Sequence, residues 1–107
     1  MPSGARIPQL LSLLGDEPED VFLNYALGIE YMSHPETHSG ALSQFKKVLE
    51  LDPEYLAVYY QLGKLCEDMG QNAEAIDYYR LGLEKAKTQK NNKAINEFGE
   101  ALFMLED

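Results

Sequence analysis

Residues 59–79 read Tyr-Tyr-Gln-Leu-Gly-Lys-Leu-Cys-Glu-Asp-Met-Gly-Gln-Asn-Ala-Glu-Ala-Ile-Asp-Tyr-Tyr, and the order of small and large residues in them decides the fold. Leu62 and Gly63 stand together, Cys66 follows three residues after the glycine, Ala75 nine after that, and Tyr79 and Gly82 come four and seven beyond Ala75. Gly70-Gln71 interrupts the apolar pattern, with Gly70 a natural helix stop and Asn72 a natural cap for the next helix. The stretch therefore reads as helix, turn and helix. A glycine inside a helix costs about 1 kcal/mol relative to alanine, so Gly63 calls for a packing reason. With Ala75 it lets two antiparallel helices approach closely, while Leu62, Cys66 and Tyr79 fill the space on either side.

One such hairpin cannot bury its apolar face alone, so the unit should recur. Thirty-five residues earlier, Leu27-Gly28 stands where Leu62-Gly63 stands, with Tyr25 matching Tyr60 and Tyr31 replacing Cys66. Thirty-four residues before Ala75 and Tyr79 come Ala41 and Phe45, with Val48 at the place of Gly82. The one-residue difference puts an extra residue in the first hairpin turn, within 33–40, where a turn absorbs it without rotating either helix face. Repeated in frame, this order of residues resembles the tetratricopeptide repeat. The expected fold class is all-α, an α-solenoid of antiparallel helix pairs. The resemblance covers about 10–105 and implies a right-handed superhelix of the tetratricopeptide type.

At 107 residues the chain is expected to be a single domain, 1–107. A hydrophobic share of 45%, with 25% charged and 10% aromatic residues, argues for folding over disorder. Nine basic against 18 acidic residues give a net charge of −9, which disfavours nucleic acid and anionic membranes and favours a protein or peptide partner with a basic or apolar surface. Cys66, a lone cysteine, cannot form an intrachain disulfide and reads as core filler. The apolar run 10–14 is too short for a signal sequence or a span, so the expected location is cytoplasmic.

In chain order, 1–5 is a small-residue terminus expected to fray. Ile7, Leu10, Leu11 and Leu14 then fall at helical spacing, and Leu10, Leu13 and Pro18 lie 35 residues before Phe45, Val48 and Pro53. The segment 6–14 is thus in frame as the second helix of a truncated repeat, ended by Gly15. Asp16 through Asp20 reads as the next helix start, with Asp16 as cap and Pro18 in the first turn. Repeat 1 is placed at 18–52, with helices over 18–33 and 39–51, and repeat 2 at 53–87, with helices over 53–69 and 72–87. A C-terminal helix over 92–105 is expected to cap the stack, with Phe98-Gly99 a degenerate Leu-Gly pair. His34, Glu36 and His38 fall in a proline-containing turn and read as exposed residues rather than a metal site. Four lysines between 85 and 93 complement a helix C-terminus or form a basic patch.

What the resemblance implies for function is a concave groove, lined by the first helix of each pair, that holds a peptide or a partner's helix. Carried over by position, its residues are Phe22, Tyr25, Ile29 and Ser33 in repeat 1, and Ala57, Tyr60, Lys64 and Asp68 in repeat 2. Phe22, Tyr25, Ile29 and Tyr60 make an apolar strip of interface type, with Lys64 able to meet a carboxylate. Tyr25 and Tyr60 stay open between groove and core. Members of that family that clamp C-terminal carboxylates carry a Lys and an Asn where this chain has Tyr25 and Ile29, so that activity is not expected. The chain has no glycine-rich phosphate loop and no ligand cluster, so no enzyme and no cofactor is expected. The leading expectation is a protein-protein interaction adaptor. The alternative is a self-associating subunit or a dedicated chaperone using the same apolar surface.

Overall fold

Two of the helices start where a side chain reaches a free backbone N–H of the first turn, the first helix of repeat 1 at Asp20 and the C-terminal helix at Asn91. Asp20, not Asp16, caps the second helix: its Oδ1 accepts from Leu23 N at 2.8 Å. Pro18 therefore stays in the loop, where its carbonyl and that of Asp20 accept from Asn24 Nδ2 at 3.0 and 2.8 Å. Asn24 is buried, and its own Oδ1 accepts from Gln44 Nε2 at 2.9 Å, so all its polar atoms are matched. Pro53 stands three residues ahead of its helix just as Pro18 does, and both helices start later than a proline in the first turn would put them.

The computed structural model of the chain describes residues 6–106, so the expected fraying of 1–5 lies outside the described residues. Every regular element described is helical: α1 (Ile7–Asp16), α2 (Val21–Met32), α3 (His38–Leu51), α4 (Leu56–Asp68), α5 (Asn72–Thr88) and α6 (Asn92–Leu105). A short 3-10 turn, Pro35–Thr37, precedes α3 and lies within the stretch expected to hold the extra residue. It is pinned by Thr37 Oγ1, which donates to the Tyr31 carbonyl, and by His38 Nε2 at 3.2 Å from the Met32 carbonyl. The chain divides into two compact units, residues 1–53 and 54–107.

Two further boundaries differ from the sequence-based expectation. Gly15 does not end α1, which continues to Asp16. A glycine stops a helix by taking a left-handed φ, as Gly70 does at 76°, and Gly15 keeps a negative one. Asn72 is the first residue of α5 rather than its cap, a place taken by Gln71. Gly70 performs as expected: Gln71 N donates to the Cys66 carbonyl at 2.8 Å and Gly70 N to that of Glu67 at 3.0 Å, closing α4.

In the first unit α1 rests on α2 and α3 packs along it; in the second, α4 pairs with α5 and α5 with α6. One device recurs in both: a glycine on one helix receives an aromatic ring from the next. A Cβ at Gly28 would lie 2.5 Å from the Phe45 ring, one at Gly63 would clash with the Tyr79 ring, and one at Gly82 with the Phe98 ring. Phe45 and Tyr79 are fully buried, and Phe98 very nearly so. The glycines thus admit rings, which places the large residue as well as the close approach. Cys66 is buried core, as expected.

Candidate functional site

Ala57, Tyr60 and Lys64 recur at three and four residues on α4, which sets them on one face of the helix. That face looks across to α6. Tyr60, Lys64 and Glu67 of α4, with Tyr79 of α5, form one wall of a cleft of about 450 Å³ whose other wall is Glu97, Glu100, Ala101 and Met104 of α6. A smaller recess of about 250 Å³ continues along the same pair of helices past Ala57 and Tyr60 to Lys93 and Phe98. Tyr60 and Glu97 line both.

The floor is aromatic. The Tyr60 ring centroid lies 5.7 Å from that of Tyr79 and 5.9 Å from that of Phe98, and Tyr79 and Phe98 are 6.5 Å apart. Tyr60 is half-buried, so it is neither a free groove residue nor closed core: one side of the ring supports the aromatic cluster and the other is open. Tyr79 OH donates to Glu67 Oε2. Burial, and next the Glu67 carboxylate that accepts its proton, push the Tyr79 phenol well above the ordinary tyrosine range. Its hydroxyl is tied to Glu67 as a hydrogen-bond donor.

Lys64 is exposed on the rim and shares the cleft with three carboxylates, Glu67, Glu97 and Glu100. Sequence reasoning singled out Tyr60 and Lys64 but missed the carboxylates, because which face α6 turns to α4 comes from Phe98 docking on Gly82 and not from any repeat position. The cleft is therefore negative on balance.

In the first unit, Phe22, Tyr25 and Ile29 lie at the same three and four spacing on α2. Phe22 is 67% exposed, an unusual state for a phenylalanine, whereas Tyr25 and Ile29 are half-buried. The Tyr25 ring packs 5.9 Å from Phe45, again giving one side to the core. Ser33 stands just past the end of α2, and Asp68 is exposed at the end of α4.

The remaining charged segments have local duties. Lys85 Nζ meets Glu54 Oε2 at 2.7 Å, and Gln89 Nε2 donates to the Glu54 carbonyl at 2.8 Å. The hydrogen bond to Lys85 holds the Glu54 carboxyl below its usual range, and the same bond raises Lys85. His34 and His38 are half-buried rather than exposed. His34 Nδ1 lies 4.0 Å from Glu36 Oε1, while the His38 ring turns back to α2. Among the described residues, no three His, Cys, Asp or Glu side chains gather as a metal set, and no helix is long and apolar enough to cross a membrane.

Helix pairs repeated at this period, joined by glycine and ring, have known counterparts. A profile of the tetratricopeptide repeat matches residues 36–94, more than half of the chain. The chain belongs to the tetratricopeptide repeat family. A tetratricopeptide repeat domain protein from Salinibacter ruber, known from its solution structure, is similar over 83% of this chain and 89% of that one, at 39% identity and a TM-score of 0.76. A crystal structure of a tetratricopeptide repeat domain protein from the same organism gives 38% identity and a TM-score of 0.73 over 81% of this chain and 96% of that one. A protein from Bordetella parapertussis superposes over 94% of this chain and 86% of its own, at 26% identity and a TM-score of 0.82. No curated protein matches the chain. The all-α helical repeat expected from sequence is thus the fold observed. Tetratricopeptide repeats generally mediate protein–protein interaction, typically as non-catalytic scaffolds.

Proposed function

We propose that this tetratricopeptide repeat protein is an adaptor that holds a segment of a partner protein against the first helices of its repeats. The observation that carries the reading is the cleft between α4 and α6, where an aromatic floor is rimmed by three carboxylates and one lysine. A floor of this kind takes an apolar anchor, and the rim favours lysine or arginine beside it. Tyr60 supplies ring surface, and Lys64 supplies a cation that orders the surrounding carboxylates or meets an acidic group of the ligand. On α2 the open ring of Phe22, flanked by Tyr25 and Ile29, offers a second apolar contact of the type that dominates interface energetics. The partner is accordingly a protein or peptide segment with apolar and basic residues.

Affinity capture compares the wild-type chain with a variant carrying Phe22→Ala, Glu97→Lys and Glu100→Lys, three substitutions at positions that are exposed. A protein retained by the wild type and lost by the variant, with helix content unchanged, supports the adaptor and its site. Identical captures by both would remove the cleft and Phe22 from the account.

A further inference from the structure

The wall that α6 gives to the cleft is held by its own chain: Phe98 seats on Gly82, and Arg80 of α5 pairs with Glu106 at the end of α6. The helices α4, α5 and α6 all lie in the second unit. On this wall Glu97 and Glu100 are both exposed and stand one turn apart, where like charges repel. Two lysines lie near them, Lys64 across the cleft and Lys93 four residues before Glu97. Neither relieves the repulsion: among the described residues, no ion pair involves Glu97, Glu100, Lys64 or Lys93.

Tyr60 stands opposite. Its ring lines the cleft and the recess beside it, as Glu97 does, and gives its other side to Tyr79 and Phe98. The third carboxylate, Glu67, accepts from the Tyr79 hydroxyl and so belongs to the floor. An open aromatic ring beside two unpaired carboxylates matches a planar cation. A guanidinium serves both features from one position, because it is flat and weakly hydrated, stacks on a ring, and carries forked N–H donors that reach more than one carboxylate. A lysine ammonium is a compact, strongly hydrated charge that leaves either the ring or a carboxylate unserved.

We propose that the cleft takes an arginine side chain of the partner, with the guanidinium on the Tyr60 ring and its N–H groups donating to Glu97 and Glu100. The assignment rests on the adaptor reading and deepens it, naming arginine where that reading admits either basic residue. Met104, 77% exposed at one end of the same wall, offers a flexible thioether to the residue beside the arginine. Lys64, on the α4 wall, repels the ligand's charge and so limits the site to a single cation.

The test is an NMR titration of the purified 107-residue chain with a capped Leu-Arg-Leu peptide and with its counterparts carrying lysine or citrulline, the neutral isostere of arginine, in the middle. The arginine peptide should shift the ring signals of Tyr60 and the amides of Glu97, Glu100 and Ala101, and should bind about fivefold more tightly than the lysine peptide. The citrulline peptide should lose most of that shift. Glu97→Gln with Glu100→Gln, isosteric changes at exposed positions, should abolish the preference for arginine with helix content unchanged, and Lys64→Met should tighten arginine binding. Equal affinity for arginine and lysine overturns the arginine assignment and leaves the adaptor reading standing, since either basic residue then serves. Citrulline that binds as well as arginine overturns it with the wild-type chain alone. A preference that survives the double Gln variant overturns it too, as does weaker binding after Lys64→Met, which would make Lys64 a contact of the ligand. If none of the peptides shifts the cleft at millimolar concentration the assignment falls; affinity capture with the Phe22→Ala, Glu97→Lys, Glu100→Lys chain, which uses no peptide, then decides separately whether the adaptor reading falls with it.

Discussion

Gly63 and Tyr79 share one volume: a Cβ on the glycine would stand 2.5 Å from Cζ and 2.6 Å from Cδ1 of the ring, well inside van der Waals contact. The ring has little room to yield, since Tyr60 and Phe98 pack against it and its hydroxyl is tied to Glu67. Overpacking of a close-packed core costs about 1–3 kcal/mol, so Gly63→Ala should lower the unfolding free energy by an amount in that range. Gly99→Ala should do the reverse, because its methyl meets nothing and alanine gains up to about 1 kcal/mol of helix propensity. Paired urea titrations check both; a Gly63→Ala chain as stable as wild type would show that the ring moves freely.

The Tyr79 phenol makes stability depend on alkaline pH. Burial and the Glu67 hydrogen bond raise its folded pKa above the unfolded value of about 10. Its contribution is therefore complete below about pH 10 and is lost as pH rises from there toward the folded pKa, because the unfolded chain releases a proton that the folded one keeps. Unfolding free energy measured across this window should fall more steeply for wild type than for Tyr79→Phe. Tyr78, which burial also raises, is present in both chains and cancels in the comparison.

The period of the repeat made the helices and their pairing legible, since Leu27-Gly28 and Leu62-Gly63 report a packing requirement that only one geometry meets. Cys66 could be assigned to the core for the same reason. Boundaries were less legible where two candidates compete: Asp16 and Asp20 are both capping residues four apart, and only the reach of Asp20 Oδ1 to Leu23 N decides between them. Gly15 and Gly70 look alike in sequence and differ in φ, which their surroundings set. Of the site, Tyr60 and Lys64 were readable from repeat position. Glu97 and Glu100 were not, because α6 is rotated by the docking of Phe98 on Gly82 rather than by its own pattern. The partial burial of Tyr25 and Tyr60 depends on Phe45 and Tyr79, residues 20 and 19 positions away in the sequence.

Among the described residues, Lys90 is the non-glycine residue with positive φ, 57°, at the end of α5. It stands where Gly70 stands at the end of α4, with Lys90 N donating to the Lys87 carbonyl and Asn91 N to that of Ala86, both at 3.0 Å. A left-handed conformation costs a side-chain-bearing residue roughly 1–2 kcal/mol, partly offset by the greater freedom of glycine in the unfolded chain. Lys90→Gly should therefore raise stability by up to about 1 kcal/mol, seen as a higher thermal midpoint. A drop would mean that the lysine side chain contributes more than its backbone costs.

The Glu54–Lys85 pair is exposed, so it should register in titration more than in stability. Glu54 is held low by its hydrogen bond to Lys85, so the pair's contribution persists above the ordinary carboxylate pKa and disappears as pH falls through the depressed one. Following the Glu54 carboxyl by NMR, Lys85→Met should move its midpoint upward toward the ordinary value. An unmoved midpoint would assign the shift to Gln89 or to the helix.

Phe22 and Tyr60, two aromatic residues proposed to contact a partner, should separate stability from binding. Phe22 is 67% exposed, so Phe22→Ala removes little buried area and should leave the unfolding free energy within about 0.5 kcal/mol of wild type. Tyr60 contacts two buried rings, and Tyr60→Ala should cost about 2–4 kcal/mol through the cavity it leaves beside Tyr79 and Phe98. A loss of partner after Tyr60→Ala alone would thus be ambiguous, whereas a loss after Phe22→Ala would report on the surface. Tyr60→Phe completes the comparison: it keeps the ring against Tyr79 and Phe98 and deletes only the hydroxyl. Fold retained and binding lost in that variant would assign the Tyr60 hydroxyl to the partner; both retained would leave Tyr60 a supporting ring beneath the carboxylate rim.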